Sequence, residues 1–162
     1  MRVVGDNWTI SGISQFVSGT PASISLTTVQ GLDLQGGGDG QRVNVVGDPN
    51  ANGSTFNNWF NPAAFALPAG SGSGNASKTS VRNPGVNNND LVAAKRFPLK
   101  SERRVITFRW EAYNVFNHTQ YSTINTTARF DQTTGAQTNS AFGQVTATRA
   151  ARVMQGVLRF EF

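Results

Sequence analysis

Val105-Ile-Thr-Phe-Arg-Trp-Glu-Ala-Tyr-Asn-Val-Phe-Asn117 alternates in character from one residue to the next. Ile106, Phe108, Trp110, Ala112, Asn114 and Phe116 fall on one parity, and Val105, Thr107, Arg109, Glu111, Tyr113 and Val115 on the other. Successive side chains of a strand point to opposite faces, so this order separates the rings from the charges. A helix would scatter Arg109 and Glu111 among the aromatics. The stretch is therefore read as a two-faced strand over 105–117.

Three further segments follow the same rule. In Val153–Phe162, one face takes Met154, Gly156, Leu158, Phe160 and Phe162, and the other takes Val153, Gln155, Val157, Arg159 and Glu161. Its length suits the ~9–11 residues of a tilted membrane strand. Asn7–Val17 places Trp8, Ile10, Gly12, Ser14 and Phe16 together, and Asp90–Leu99 does the same for Leu91, Ala93, Lys95, Phe97 and Leu99. Lys95 breaks the second pattern unless its ammonium reaches a membrane interface along its apolar stem. Pro98, lacking an N–H, is expected to end that strand.

The connections are unequal. Leu99–Arg104 reads as a short polar turn, 118–149 as a medium loop, and 18–89 as a very long one rich in Gly, Asn, Ser and Pro. Short turns at one end and long loops at the other are what membrane barrels show. Composition agrees. Charged residues are 14% and hydrophobic residues 38%, both low for a soluble domain. Yet the chain keeps 11 Phe, 3 Trp and 2 Tyr, which a disordered chain lacks.

The expected fold is all-β: about four long antiparallel strands of an outer-membrane β-barrel, forming one segment over 1–162. Residues 18–89 would be an extracellular loop and 90–162 would carry the last three strands. No apolar run approaches the ~18 residues of a membrane helix. No signal-peptide core follows Met1, although an outer-membrane or cell-surface place in a Gram-negative bacterium is expected.

Certain stretches then carry a family likeness. They are Asn44-Val-Val-Gly-Asp-Pro49, Trp59-Phe-Asn-Pro-Ala-Ala-Phe65, Arg82-Asn-Pro-Gly-Val-Asn-Asn-Asn-Asp-Leu91, Phe108-Arg-Trp-Glu-Ala-Tyr-Asn-Val-Phe-Asn-His118, Phe142-Gly-Gln-Val-Thr146 and Arg159-Phe-Glu-Phe162. In this order they resemble the C-terminal end of a TonB-dependent outer-membrane receptor, of the acidobacterial type with an N-terminal carboxypeptidase-regulatory-like domain. The resemblance implies a barrel of about twenty-two strands, an internal plug, and uptake of a scarce or bulky ligand driven by the TonB complex. The chain matches only the last strands of that design, with neither plug nor TonB-contacting segment. The terminal Phe162 is similar to the signal read by barrel-assembly machinery.

Candidate sites follow from the faces. Arg109, Glu111, Arg159 and Glu161 are expected to face a polar lumen and to pair across strands. Phe108, Trp110, Phe116, Phe160 and Phe162 are expected to face lipid or a partner. Alternation alone does not say which of the two, or whether they form a soluble core. Asp48, Asn50 and Asn52, in Asp48-Pro-Asn-Ala-Asn-Gly53, resemble the opening of a calcium loop, but Trp59 stands where the bidentate Glu belongs. No metal site is therefore expected; an Asn/Gly turn is the preferred reading, with a weak calcium site as the alternative.

His118 is the only histidine, and no Gly-x-Ser-x-Gly elbow accompanies it. Gly36–Gly40 lacks the Lys-Ser/Thr ending of a phosphate loop. Cysteine is absent, so thiol metal sites and disulfides are excluded. The +5 charge is scattered, densest at Lys95, Arg96, Lys100, Arg103 and Arg104, with no aromatic stripe for nucleic acid.

No enzyme and no cofactor are expected. The partners would be outer-membrane lipid, with either the rest of a barrel or copies of this chain. The alternative is a stand-alone β-rich structural or binding protein that self-assembles through its strand edges as an oligomer or filament.

Overall fold

The computed structural model describes residues 5–34, 41–51, 53–70, 72–99 and 101–162, with the side chains of 101–103 left aside. Its strands are β1 (Trp8–Val17), β2 (Pro21–Ala22), β3 (Ser25–Thr28), β4 (Asn44–Val45), β5 (Phe65–Ala66), β6 (Val81–Arg82), β7 (Val86–Leu99), β8 (Ser101–Tyr113), β9 (Tyr121–Ile124), β10 (Thr127–Phe130), β11 (Val145–Thr148) and β12 (Val153–Glu161). A 3-10 turn, Pro62–Ala64, lies between β4 and β5. The all-β, chiefly antiparallel class expected from the sequence is what forms. The chain divides into two compact units, described separately below.

The first unit holds the four long strands, in the order β1-β7-β8-β12, every neighbour antiparallel. The register carries all four sequence patterns onto common faces. Ile10 lies opposite Ala93, Ala93 opposite Trp110, and Trp110 opposite Gly156; Lys95 lies opposite Trp8 and Phe108, and Phe108 opposite Leu158. One face, here face A, thus collects Trp8, Ile10, Phe16, Phe97, Phe108, Trp110, Leu158 and Phe160. Face B collects Gln15, Asp90, Arg96, Arg109, Glu111, Tyr113, Gln155, Arg159 and Glu161. A slip of one residue between any two strands would have mixed the sets. The sheet is open: β1 and β12 each leave one edge unpaired among the described residues.

The strand limits depart from the sequence reading in three places, each for a local reason. β7 begins at Val86, not Asp90, because Asn87–Asn89 pair with Ser14–Phe16 and Ser14 donates to Asn89 Oδ1 at 2.7 Å. Tertiary pairing here overrides the poor strand propensity of Asn. Pro98 does not end β7; it sits opposite Val105, and the ladder shifts between Pro98 and Leu99. β1 starts at Trp8 opposite Lys95, so Pro98 lies beyond it, where no described strand on that side needs its missing N–H. The turn is accordingly tighter than 99–104, with Leu99 opposite Ser101.

β8 stops at Tyr113, four residues before the expected Asn117. Asn114 (φ 54°) and Asn117 (φ 51°) adopt the left-handed conformation that Asn tolerates. The Asn114 side chain closes the turn, donating to the His118 carbonyl and accepting from the His118 N–H, both at 3.0 Å.

The second unit comprises Ser18–Gly85 and Tyr121–Thr148. The stretch read as one very long loop therefore contains short strands and a core. β3 and β10 pair in parallel, joining the two excursions, while β9 pairs with β11, β2 with β6 and β4 with β5. Phe60, Phe65 and Phe142 meet edge to face, with centroids 5.1–5.8 Å apart. Around them pack Val43, Ile24, Ala128, Phe130 and Val145.

The family-like stretches build this core. Asn61 accepts from the Ala63 N–H at 3.2 Å and starts the 3-10 turn at Pro62. The Trp59 indole donates to the Arg82 carbonyl at 2.8 Å, and the Trp59 N–H to the Gly143 carbonyl at 2.7 Å. Gly143 has φ +86°, and a Cβ there would crowd Pro62 at 3.0 Å, so both backbone conformation and space favour glycine. Truncating Phe142 to Ala should cost ~3–5 kcal/mol of this unit's stability. The expected outcome is faster proteolytic cutting within 18–85 and 121–148; an unchanged cutting rate would show that the aromatic trio does not hold the unit.

Candidate functional site: the polar face of the sheet

Glu111 is the hub of face B. It is 6% exposed, lying among groups that all aim at its carboxylate. Arg109, two residues earlier on the same side of β8, donates its Nε to Oε1. Tyr113, two residues later, donates its hydroxyl to Oε2 at 3.0 Å. Gln155, directly opposite on β12, donates its amide to the same oxygen. Strand alternation supplies the first two partners and sheet register the third. Charge-assisted bonds of this kind are shorter and stronger than neutral ones. They fix Glu111 in place while Arg109 keeps about half of its side chain exposed.

Arg159 and Glu161 form a second pair at 3.1 Å, more exposed than the first. The expected cross-strand ion pairs do not form. Arg109 lies opposite Val157, Glu111 opposite Gln155, Arg159 opposite Thr107 and Glu161 opposite Val105. Each charge instead meets the partner two residues along its own strand. All four residues do share face B, as their parity implied.

On face A, Phe108, Phe160 and Leu158 are exposed, Leu158 at 72%. Trp110 is half-buried beside Gly156. Phe160 and Phe162 stack at 5.9 Å. Phe116 departs from its expected place: it lies in the turn after β8, exposed and outside the strand pattern. Lys95 is only 4% exposed, its Nζ 4.8 Å from the Trp8 ring centroid and 5.6 Å from that of Phe97, and it donates to the Asp6 carbonyl at 3.2 Å. The aromatic rings stabilise the ammonium through their faces.

The calcium-like stretch folds as a turn. Asp48 Oδ1 accepts from the Asn50 N–H at 2.8 Å, and the Asp48 carbonyl from the Ala51 N–H at 3.3 Å. Asn52 lies outside the described residues. Among the described residues no three His, Asp or Glu side chains gather as metal ligands. His118 is an exposed turn residue held through its backbone.

Sequence reasoning did not single out Tyr113 and Gln155 as partners of Glu111. Both sit on the correct parity, but only the β8–β12 register shows that Gln155 faces Glu111. Nor did it single out Asp90. Asp90 Oδ1 accepts from the Asn88 amide at 2.8 Å and from the Asn114 N–H at 2.9 Å, tying β7 to the turn after β8.

Set beside known proteins, the chain matches the family model described as outer membrane beta barrel domain over residues 1–155. No curated protein and no solved structure matches it significantly. No described helix is long and apolar enough to cross a membrane, which leaves crossing by strands open.

Replacing Glu111 by Ala strips three donors of their shared acceptor and should lower the thermal midpoint of the β-sheet signal measured by circular dichroism in detergent. Glu111→Gln, which keeps an acceptor oxygen, should fall between that variant and the unsubstituted protein. Equal midpoints for all three would remove Glu111 from its place as the hub.

Proposed function

We propose that this chain, which belongs to the outer membrane beta barrel domain family, forms closing strands in the barrel wall of a TonB-dependent receptor, non-catalytic and engaged in ligand uptake. An outer-membrane barrel is what the family match supports. The receptor type rests on the ordered stretches from Asn44 to Phe162.

One observation carries the reading: the sheet has two chemically distinct faces and two distinct ends. Face A is aromatic and aliphatic, as a lipid face must be, and face B carries the charges and amides of a lumen. At one end β7 turns directly into β8. At the other, the chain leaves β1 for residues 18–85 and leaves β8 for residues 114–152 before returning to the sheet. Short turns belong on the periplasmic side and long excursions outside.

Open edges cannot stand in lipid, because their N–H and C=O groups would go unsatisfied. β1 and β12 therefore pair with other strands of the same wall. Phe162, following β12, would be the group presented to barrel-assembly machinery in a Gram-negative envelope.

The unpaired edges also support a second reading, in which copies of this chain share strands in an oligomer or filament. The two separate on one experiment. The gene is expressed from its whole upstream reading frame, cells are fractionated, and the product is run unboiled and boiled. An outer-membrane product whose mobility changes on boiling is expected, and Phe160→Ser with Phe162→Ser should reduce its membrane-embedded fraction. A soluble product with the same mobility in both lanes, or a ribosome-binding site and stop codon just upstream of Met1, would overturn the receptor reading.

A further inference from the structure

We propose that a cavity within the second unit binds an organic phosphomonoester, a phosphate group with a hydroxyl beside its ester. The inference stands apart from the receptor reading, because every residue it uses belongs to the second unit. The cavity measures about 670 Å³ and lies among β3, the segment before β4 and residues 73–78. Its size is within the ~300–1,000 Å³ of small-molecule sites.

Backbone contacts fix its walls. On one side β3 pairs with β10, Ser25 opposite Thr127 and Leu26 opposite Ala128. On the other, residues 74–76 press against 43–45. The Ala76 N–H donates to the Val43 carbonyl at 3.0 Å, and the Val45 N–H to Asn75 Oδ1 at 2.7 Å. Gly74 permits this approach, since a Cβ there would stand 2.2 Å from the Val43 oxygen. Ile24, Leu26 and Ala76, all buried, give part of the lining an apolar surface.

Chemistry selects the ligand class. Arg42 and Lys78 carry the charge of the described lining; both are exposed, and neither side chain has a partner among the described residues. No carboxylate joins them there among the described residues. The Ser23 and Ser73 hydroxyls are uncommitted in the same sense and can donate. Two cations without an anion call for a doubly charged ligand, and a single carboxylate would neutralise only one. A phosphomonoester carries roughly −1.5 to −2 at pH 7 and three strong acceptor oxygens. The guanidinium fork meets phosphate oxygens in pairs, and the ammonium adds a point charge.

One group asks for a donor instead. Gln41 Oε1 is buried and has no hydrogen-bond partner among the described residues. Its Nε2 is committed, donating to Asp33 Oδ1 at 3.2 Å and to the Leu32 carbonyl at 3.5 Å. Turning the amide over would set Oε1 against the Asp33 carboxylate. A buried acceptor left unpaired is costly, and a ligand hydroxyl would satisfy it. A fully ionised phosphate group brings no donor; a hydroxyl beside the ester does. The apolar part of the lining then meets the carbon skeleton.

The test uses the protein expressed from its whole reading frame, purified in detergent and titrated calorimetrically. Glycerol phosphate should bind, methyl phosphate more weakly for want of the hydroxyl, and glycerol or succinate not measurably at the same concentration. Arg42→Gln and Lys78→Gln should each weaken glycerol phosphate about tenfold or more, with the thermal midpoint unchanged because both side chains are exposed. Arg129→Gln, at an exposed cation of the same unit outside the cavity, should leave binding as it was. Micelles carrying lysophosphatidic acid, beside lysophosphatidylcholine, separate the two sources of this chemistry: binding tighter than that of glycerol phosphate assigns a lipid headgroup, and weaker binding assigns a free ester. Succinate bound as tightly as glycerol phosphate, no phosphate ester bound at millimolar concentration, or an equal loss with Arg129→Gln would overturn the proposal.

Discussion

The antiparallel register between β7 and β8 is the constraint on which the rest of the sheet depends. Leu91 to Pro98 face Ala112 to Val105 in unbroken order. This alignment places each strand's apolar parity on one side, and β1 and β12 extend it outward without a slip. Because side chains alternate with a period of two, an error of one residue would have put Arg109 and Glu111 among the rings. The tight connection at Leu99 and Ser101 limits such errors, since a short turn leaves few alternative pairings.

The two units are built by different physics. The sheet buries little of its own apolar surface; Ile10, Phe16, Leu158 and Phe160 remain exposed. Its backbone is held by ladders, and its apolar face gains stability only from what surrounds it. The second unit has its own core, centred on Phe60, Phe65 and Phe142. The Asn, Gly and Pro that made 18–89 look like open loop have specific structural tasks there. Asn61 caps a turn, Pro62 starts it, and Gly143 takes a left-handed conformation that side-chain-bearing residues rarely adopt.

This difference explains what was legible in the sequence. Long period-2 patterns gave the four sheet strands and their faces, because one periodic signal extends over many residues. The two-residue strands β2, β4, β5 and β6 have no period to detect, and they form because distant segments meet. The same limit applied to the site. Parity placed Arg109, Glu111, Arg159 and Glu161 together, but pairing partners depend on register, which no single strand encodes. Strand ends failed where a side chain intervened: Asn114 closes its own turn and removes Phe116 from the face to which its parity assigned it.

Lys95 shows how the faces and the ends constrain one another. It lies on the apolar parity, and a bare ammonium facing hydrocarbon would be expelled. Here the charge is met by the Trp8 ring from the neighbouring strand, the Phe97 ring from its own strand and the Asp6 carbonyl just before β1. These partners come from the hairpin half of the sheet, where β1 begins. Arg104 shares that parity and is exposed nearer the turn. Tryptophan and long cationic side chains concentrate where hydrocarbon gives way to headgroups. In the barrel wall proposed above, the Trp8–Lys95 pair would stand at the headgroup edge of the apolar band. The next row toward the excursion end, Ile10, Ala93, Trp110 and Gly156, carries no charge on face A.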